Sequence, residues 1–266
     1  MHSDYDLVTI DNPDTSANDR IIPARETVAV LHARGKLVLA YTNIGEAEAY
    51  RGYWNHAWRV GNPAFLLGTD PDGFAQNYPV RVTDPTWRAI VFGTPTSLVD
   101  RAIAAGFDGV MLDSLLAYGF ASVERNVPHA KHEISAFVQA ISHYAKGRKP
   151  GFLIVPQNAA TLVAEPAFLA AIDGLTQEDL WFASSVRAQG DVAADPAETR
   201  ATLQQLAPVL AAGKPIFSVD YATSARDAAT AYKNASAAGL REYVGVRDLD
   251  ALTPFAPSAL GTSAKP

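Results

Sequence analysis

Asp113 and Glu178 each close a short apolar run, GVMLD and GLTQE, and so stand at the ends of two separate predicted strands. Cleaving a glycosidic bond needs two carboxyl groups, one to protonate the leaving oxygen and one to attack or to activate water. The two residues are the natural pair for that chemistry. Trp181 follows Glu178 by three residues and offers an aromatic face against which a sugar ring can lie. The other predicted strand ends carry Asp11 and Asn12, Tyr41 and Asn43, Gln157 and Asn158, Asp220 and Tyr221, and Arg247 and Asp248. These are carboxylates, amides and tyrosines suited to gripping hydroxyl groups, with no cationic cluster.

An acid at a strand end can also cap the helix that follows. Asp113 precedes Ser114, itself a competent cap, and Glu is a poorer cap than Asp or Ser, so capping accounts for neither residue well. Asp11, Asp220 and Asp248 read as structural or substrate-orienting rather than catalytic.

The elements that must position these residues repeat along the chain. A helix, a glycine and a short apolar strand ending in polar residues recur at 32–43, 104–114, 146–158, 168–179, 211–221 and 237–248. The glycines suit helix C-caps, where a left-handed backbone costs glycine little. The strands read as continuous apolar runs, as expected when helices cover one face and a barrel interior the other. Ile134, Phe137, Val138, Ile141 and Tyr144 mark a helical stripe within 129–146, and Leu203, Leu206 and Leu210 another within 197–212. With DLVTID (6–11) the count is seven parallel strands alternating with helices. At 266 residues this pattern predicts an α/β protein with a (β/α)8 TIM-type barrel that lacks or modifies its first strand. The eighth strand is expected either before residue 1 or near Tyr78–Val82. A single barrel domain over 1–256 and a flexible tail over 257–266 complete the expected organisation.

One interval breaks the rhythm. Between Asn43 and Phe107 lie Tyr50, Tyr53, Trp54, Trp58, Phe65, Phe74, Tyr78 and Trp87, so three of the four Trp residues fall here. The segment predicts an aromatic-rich insertion at the C-terminal face of the barrel, with about half of its aromatics serving as core.

Composition narrows the partners. A net charge of −6 without a basic run argues against nucleic acid and anionic membranes, and no apolar run approaches the ~18 residues of a membrane span. Cysteine is absent, which removes disulfides, thiolate metal sites and a Cys nucleophile. The N-terminus, MHSDYDLVTI, carries no signal-peptide pattern.

At these same residues the chain resembles the endo-α-1,4-polygalactosaminidase family, glycoside hydrolase family 114, in its prokaryotic branch. The resemblance rests on six ordered motifs: LAYTNIGEAEAYRGYW (39–54), NYPVRVTDPTW (77–87), GFDGVMLDSLLAY (106–118), IVPQNA (154–159), DGLTQEDLWF (173–182) and IFSVDYA (216–222). It implies a barrel that hydrolyses α-linked galactosamine polymers or related exopolysaccharides with retention, outside the cytoplasm and without a cofactor. It also implies Asp113 as nucleophile and Glu178 as general acid/base, with Tyr41, Glu48, Arg51, Asn158, Asp220 and Tyr221 lining a sugar subsite. Asp11, Trp54 and Trp181 are expected to join them in binding substrate. Two features depart from the family pattern. Leu116 stands where a second Asp is common, and the family's first strand has no counterpart before Asp4.

Other chemistries fit less well. His129 and His132 are spaced i, i+3 rather than the i, i+4 of the zinc helix motif, so no metal is expected. The loops after the last two strands lack the glycines of a phosphate site, and Lys214 lies at the wrong end of its strand for Schiff-base chemistry. The rival of another class is a catalytically silent carbohydrate-binding barrel that accompanies exopolysaccharide processing. Retention of both carboxylates weighs against it.

Overall fold

The structure, a computed structural model, describes residues 5–15, 24–185, 188–249, 252, 253, 255 and 256. The expected tail at 257–266 lies outside the described residues. The chain divides into two compact units, one built on Asp6–Gln157 with Ala170–Ile172 and the other on Asn158–Leu169 and residues from Asp173 onward.

The first unit contains strands β1 (Leu7–Asp11), β2 (Leu37–Asn43), β3 (Glu46–Glu48), β4 (Asn77–Pro79), β5 (Gly109–Asp113) and β6 (Leu153–Pro156). Strands β1, β2, β5 and β6 form a parallel sheet in that order. The register sets Asp11 beside Tyr41 and Asn43 beside Asp113, so the polar residues that end the strands share one edge. Val38, Leu39, Ala40, Val110, Leu112 and Ile154 are buried along these strands, and helix Ala130–Arg148 buries Ile134, Phe137, Val138 and Ile141. Tyr144 ends that stripe half-exposed, its hydroxyl on Asp100 Oδ1 at 2.7 Å.

Strands β3 and β4 belong to the aromatic insertion and pair antiparallel, Glu46 opposite Pro79 and Glu48 opposite Asn77. The piece near Tyr78–Val82 is therefore an arm of this hairpin and not an eighth parallel strand. Phe65 and Trp87 are fully buried, while Trp54, Trp58 and Tyr78 keep partial exposure and Tyr50 and Phe74 are exposed. Asp84 starts helix Pro85–Val91 by accepting the N–H of Thr86, and the Trp87 indole donates to Ile44 O at 3.0 Å. That bond ties the insertion to the end of β2.

The second unit contains β7 (Leu175–Glu178), β8 (Phe182–Ser185), β9 (Ala188–Ala193), β10 (Ile216–Tyr221) and β11 (Arg241–Gly245). Strands β7, β10 and β11 form a parallel sheet with β10 in the centre, and β8 pairs antiparallel with β9. Ala228, Ala231 and Tyr232 of helix Ala225–Ala238 pack with Ala222 and Val244. Gly239 ends this helix at φ 75°, the left-handed cap anticipated from the repeat. In helix Pro196–Ala211, Leu206 and Val209 are buried and Leu210 is exposed, so the apolar face turns one residue earlier than the leucine spacing predicts.

All seven expected parallel strands form, as sheets of four and three, and among the described residues neither ladder closes into a ring.

Candidate active site

In the first unit Asp113 ends β5 with both carboxylate oxygens engaged. The Tyr41 hydroxyl donates to Oδ2 at 2.6 Å and the Ser114 N–H to Oδ1 at 2.6 Å. Burial, then the charges of Asp113 and Glu48, push the Tyr41 phenol well above its ordinary range, so Tyr41 stays a donor. Ser114 adopts the left-handed region, φ 58°, ψ 31°. That conformation is uncommon outside Gly and Asn, and here it turns the Ser114 N–H back onto the preceding carboxylate.

Beside it the insertion supplies a buried ion network. Arg51 is 4% exposed and donates from Nε to Glu48 Oε2 at 2.7 Å, while its Nη1 donates to Asp11 and, at 3.3 Å, to Thr15 Oγ1. Tyr50 donates to Glu48 Oε1, and the guanidinium lies over the rings of Tyr50 and Tyr41. Burial raises the Glu48 pKa and Arg51 opposes the rise. The residues share an edge because β1 and β2 end in register and Glu48 and Arg51 follow β2 within one hairpin. Asp11 keeps 57% of its side chain exposed and can meet a ligand. Trp54 is stacked on Tyr78 with centroids 4.9 Å apart, one face of an aromatic group that also includes Trp58.

In the second unit Glu178 ends β7 in a matching cradle. Asn158 Nδ2 donates to Oε2 at 2.8 Å and the Tyr221 hydroxyl donates to Oε1. Asn158 Oδ1 in turn accepts the Glu178 N–H at 2.9 Å and Gln177 Nε2 at 3.1 Å, which fixes the amide's orientation. Asn158 takes φ 53°, tolerated by Asn better than by most residues. Next in sequence, burial and then the charges of Glu178 and Asp220 push Asp179 up to about 7.

Asp220 has no exposed surface, and its Oδ1 accepts the N–H groups of Trp181 and Phe182. Glu242, across the sheet on β11, accepts the Ser218 hydroxyl. Burial, then the charge of Asp220, holds the Glu242 pKa well above the carboxylate range. Asp220 itself is pushed up to about 6 by burial, against the pull of the Phe182 and Trp181 N–H groups. Among the described residues no donor reaches Asp220 Oδ2 or Glu242 Oε1.

The structure thus gathers Asp11, Tyr41, Glu48, Arg51 and Asp113 in the first unit, and Asn158, Glu178, Trp181, Asp220 and Tyr221 in the second. Trp54 lies in the insertion. Sequence reasoning passed over Glu46 and Glu242, both discussed below. Glu242 sits inside a strand rather than at its end, and Glu46 is masked by Glu48 two residues on. Among the described residues no group of three or more His, Cys, Asp or Glu is arranged to hold a metal ion. No described helix is long and apolar enough to cross a membrane.

Parallel sheets of four and three strands, each with a polar cradle at a strand end, define an α/β fold. Residues 1–260 match the model of glycoside-hydrolase family GH114, and the chain belongs to that family. It is 38% identical over 250 residues to an uncharacterized protein of Deinococcus radiodurans, covering 94% of this chain and 76% of the relative. A Thermotoga maritima protein, also uncharacterized, is 30% identical over 230 residues, 85% of this chain and 67% of its own. Among solved structures, Aspergillus fumigatus Ega3 in complex with galactosamine superposes with a TM-score of 0.67 at 18% identity, covering 94% of this chain and 87% of Ega3. The glycoside hydrolase domain of PelA from Pseudomonas aeruginosa gives 0.67 at 17% identity, covering 94% and 90%. These likenesses establish the fold, and the family identifies a glycoside hydrolase with a carbohydrate substrate.

Proposed function

We propose that the chain hydrolyses an α-linked galactosamine-type polysaccharide by a retaining mechanism, with Asp113 as nucleophile and Glu178 as general acid/base. One observation carries this reading. Each carboxylate ends a parallel strand and is gripped by a tyrosine hydroxyl and an amide donor, Tyr41 with Ser114 N–H on Asp113, Tyr221 with Asn158 on Glu178. Such cradles fix the direction from which a carboxylate can act, as both steps of glycoside cleavage require. Galactosamine bound to Ega3 supports the choice of sugar.

In the first step an Asp113 oxygen attacks the anomeric carbon as the glycosidic bond breaks, and the Glu178 proton goes to the leaving oxygen. In the second, Glu178 takes a proton from water, whose oxygen displaces Asp113 and restores both groups. Asp11, Glu48 and Arg51 line the sugar subsite, Trp54 and Trp181 present ring faces, and Asp220 acts through the Trp181 turn that it holds. An acidic protein also suits a polymer bearing free amines. An exopolysaccharide substrate would be met outside the cytoplasm.

The test is product release from partially deacetylated α-1,4-galactosamine polymer by wild type, Asp113→Asn and Glu178→Gln, with the anomeric configuration of the first product read by NMR. Oligosaccharides of retained configuration from wild type alone support the reading. Polymer retained by wild type without release points instead to a carbohydrate-binding barrel, and an inverted first product rejects Asp113 as nucleophile.

A further inference from the structure

Glu46 is 3% exposed, lies outside the catalytic pair and contacts the residue that grips Asp113. Its Oε2 accepts the Ser114 hydroxyl at 3.1 Å and Asn77 Nδ2 at 3.4 Å, and its own N–H donates to Asn43 Oδ1 at 2.9 Å. The strand end that bears Glu46 encloses the Asp113–Ser114 peptide. Ile44 N–H donates to Asp113 O at 3.2 Å, and Gly45 packs so closely that a Cβ there would lie 1.9 Å from Ser114 O. Any side chain at 45 would therefore displace the peptide.

Ser114 needs such an enclosure. A left-handed serine is disfavoured by its own sterics and persists only when its surroundings hold it. If Ser114 relaxed to an ordinary backbone angle, its N–H would swing away from Asp113 Oδ1 and the carboxylate would lose that donor. Within the described residues the Ser114 hydroxyl meets Glu46, and that bond pins the residue in its left-handed state.

The protonation state of Glu46 fits this role. Burial first, then the Asp70 charge, pushes its carboxyl up to about 8, and no donor reaches Oε1. At neutral pH Glu46 keeps a proton. A neutral acid accepts from Ser114 without setting a second negative charge beside the nucleophile.

We propose that Glu46 is a positioning residue for Asp113, acting through the Ser114 hydroxyl to hold the peptide whose N–H orients the nucleophile. The inference rests on the assignment of Asp113 as nucleophile, and its test separates the two. Glu46→Gln copies the protonated acid and accepts from Ser114 through its carbonyl. It keeps kcat within about threefold of wild type. Glu46→Leu and Ser114→Ala each lower kcat about tenfold or more, the scale of one lost hydrogen bond, with KM within about threefold. The double variant falls no further than the worse single one, because both remove the same link. A folded Glu46→Leu enzyme at wild-type kcat, or a double variant whose losses multiply, overturns the proposal.

Exchange of the Ser114 amide proton, followed by NMR without substrate, gives a readout independent of turnover. It is protected in wild type and Glu46→Gln and exchanges about tenfold faster in Glu46→Leu and Ser114→Ala. Unchanged exchange in both overturns the inference whatever the activity. If wild type cleaves no polymer while exchange behaves as stated, the hydrolase reading fails and the anchoring of Asp113 stands.

Discussion

Trp181 is held by its backbone on Asp220: its N–H donates to Asp220 Oδ1 at 2.6 Å, and the Phe182 N–H shares the same oxygen at 2.6 Å. The residues are 39 positions apart, and the contact fixes the turn that leads from Glu178 into β8. The aromatic face offered to a sugar therefore depends on a carboxylate that has no surface of its own. Removing that carboxylate in Asp220→Ala strands two N–H groups. The expected cost is about 2–6 kcal/mol, since each unpaired buried group costs about 1–3 kcal/mol. Exchange of the Trp181 and Phe182 amides should accelerate at least as much as global unfolding predicts. Wild-type exchange at both would show that the turn is held by something else.

The tyrosine donors make a second prediction. Tyr41→Phe keeps the ring beneath Arg51, 5.7 Å from its guanidinium carbon, and loses only the hydroxyl on Asp113. Tyr221→Phe likewise loses its donor to Glu178. A hydrogen bond to a charged acceptor is worth roughly 1.5–3 kcal/mol, so each variant should lose about 10- to 100-fold in kcat. Steady-state kinetics on the polymer, with circular dichroism to verify folding, decides the matter. Losses confined to KM would make the tyrosines substrate contacts and not carboxylate positioners.

Much of this arrangement was legible before any coordinates. A glycine followed by a short apolar run marks six of the seven parallel strands, because such strands need no alternation. Placement at strand ends then exposed Asp113, Glu178 and their tyrosines. Glu242 was invisible by the same rule. It lies mid-strand between Arg241 and Tyr243, and its significance comes only from the register that sets it opposite Ser218 and near Asp220. Glu46 was overlooked because GEAEAY offers two acids in alternate positions, and only folding shows that Glu48 meets Arg51 while Glu46 meets Ser114. The arm at Asn77–Pro79 has the composition of a strand, but pairing direction is a tertiary property that composition does not encode.

Arg51 is the cation facing the buried Glu48, and its loss leaves a charge in a poorly solvated place. Arg51→Met should destabilise the protein by about 3–5 kcal/mol, the range for breaking a buried pair from one side. The double variant Arg51→Met/Glu48→Leu removes the stranded charge as well and should recover most of that loss. Urea denaturation of wild type, Arg51→Met, Glu48→Leu and the double variant measures the coupling. Strictly additive losses would mean that Glu48 is solvated or partnered independently of Arg51.

Five acids share one direction of response to pH. Glu46 is pushed up to about 8, Asp179 to about 7 and Asp220 to about 6, while Glu48 and Glu242 are raised above the ordinary range, burial being the leading cause in each. Each binds its proton more tightly folded than unfolded, so folding is helped most below the ordinary carboxylate range of ~4. That help is lost as pH rises through the folded values. Wherever the folded chain holds one extra proton, stability falls by about 1.4 kcal/mol per pH unit. Asp191, shifted downward, is ionised in both states above pH 5 and leaves this slope alone. The melting temperature should therefore drop between pH 5 and pH 8.5. Glu46→Gln and Glu242→Gln, which keep hydrogen bonding but cannot ionise, should each flatten the decline. A melting temperature that holds steady or climbs over this interval would mean that these carboxyls are hydrated in the folded protein, and would remove the protonated states assigned to Glu46 and Glu242.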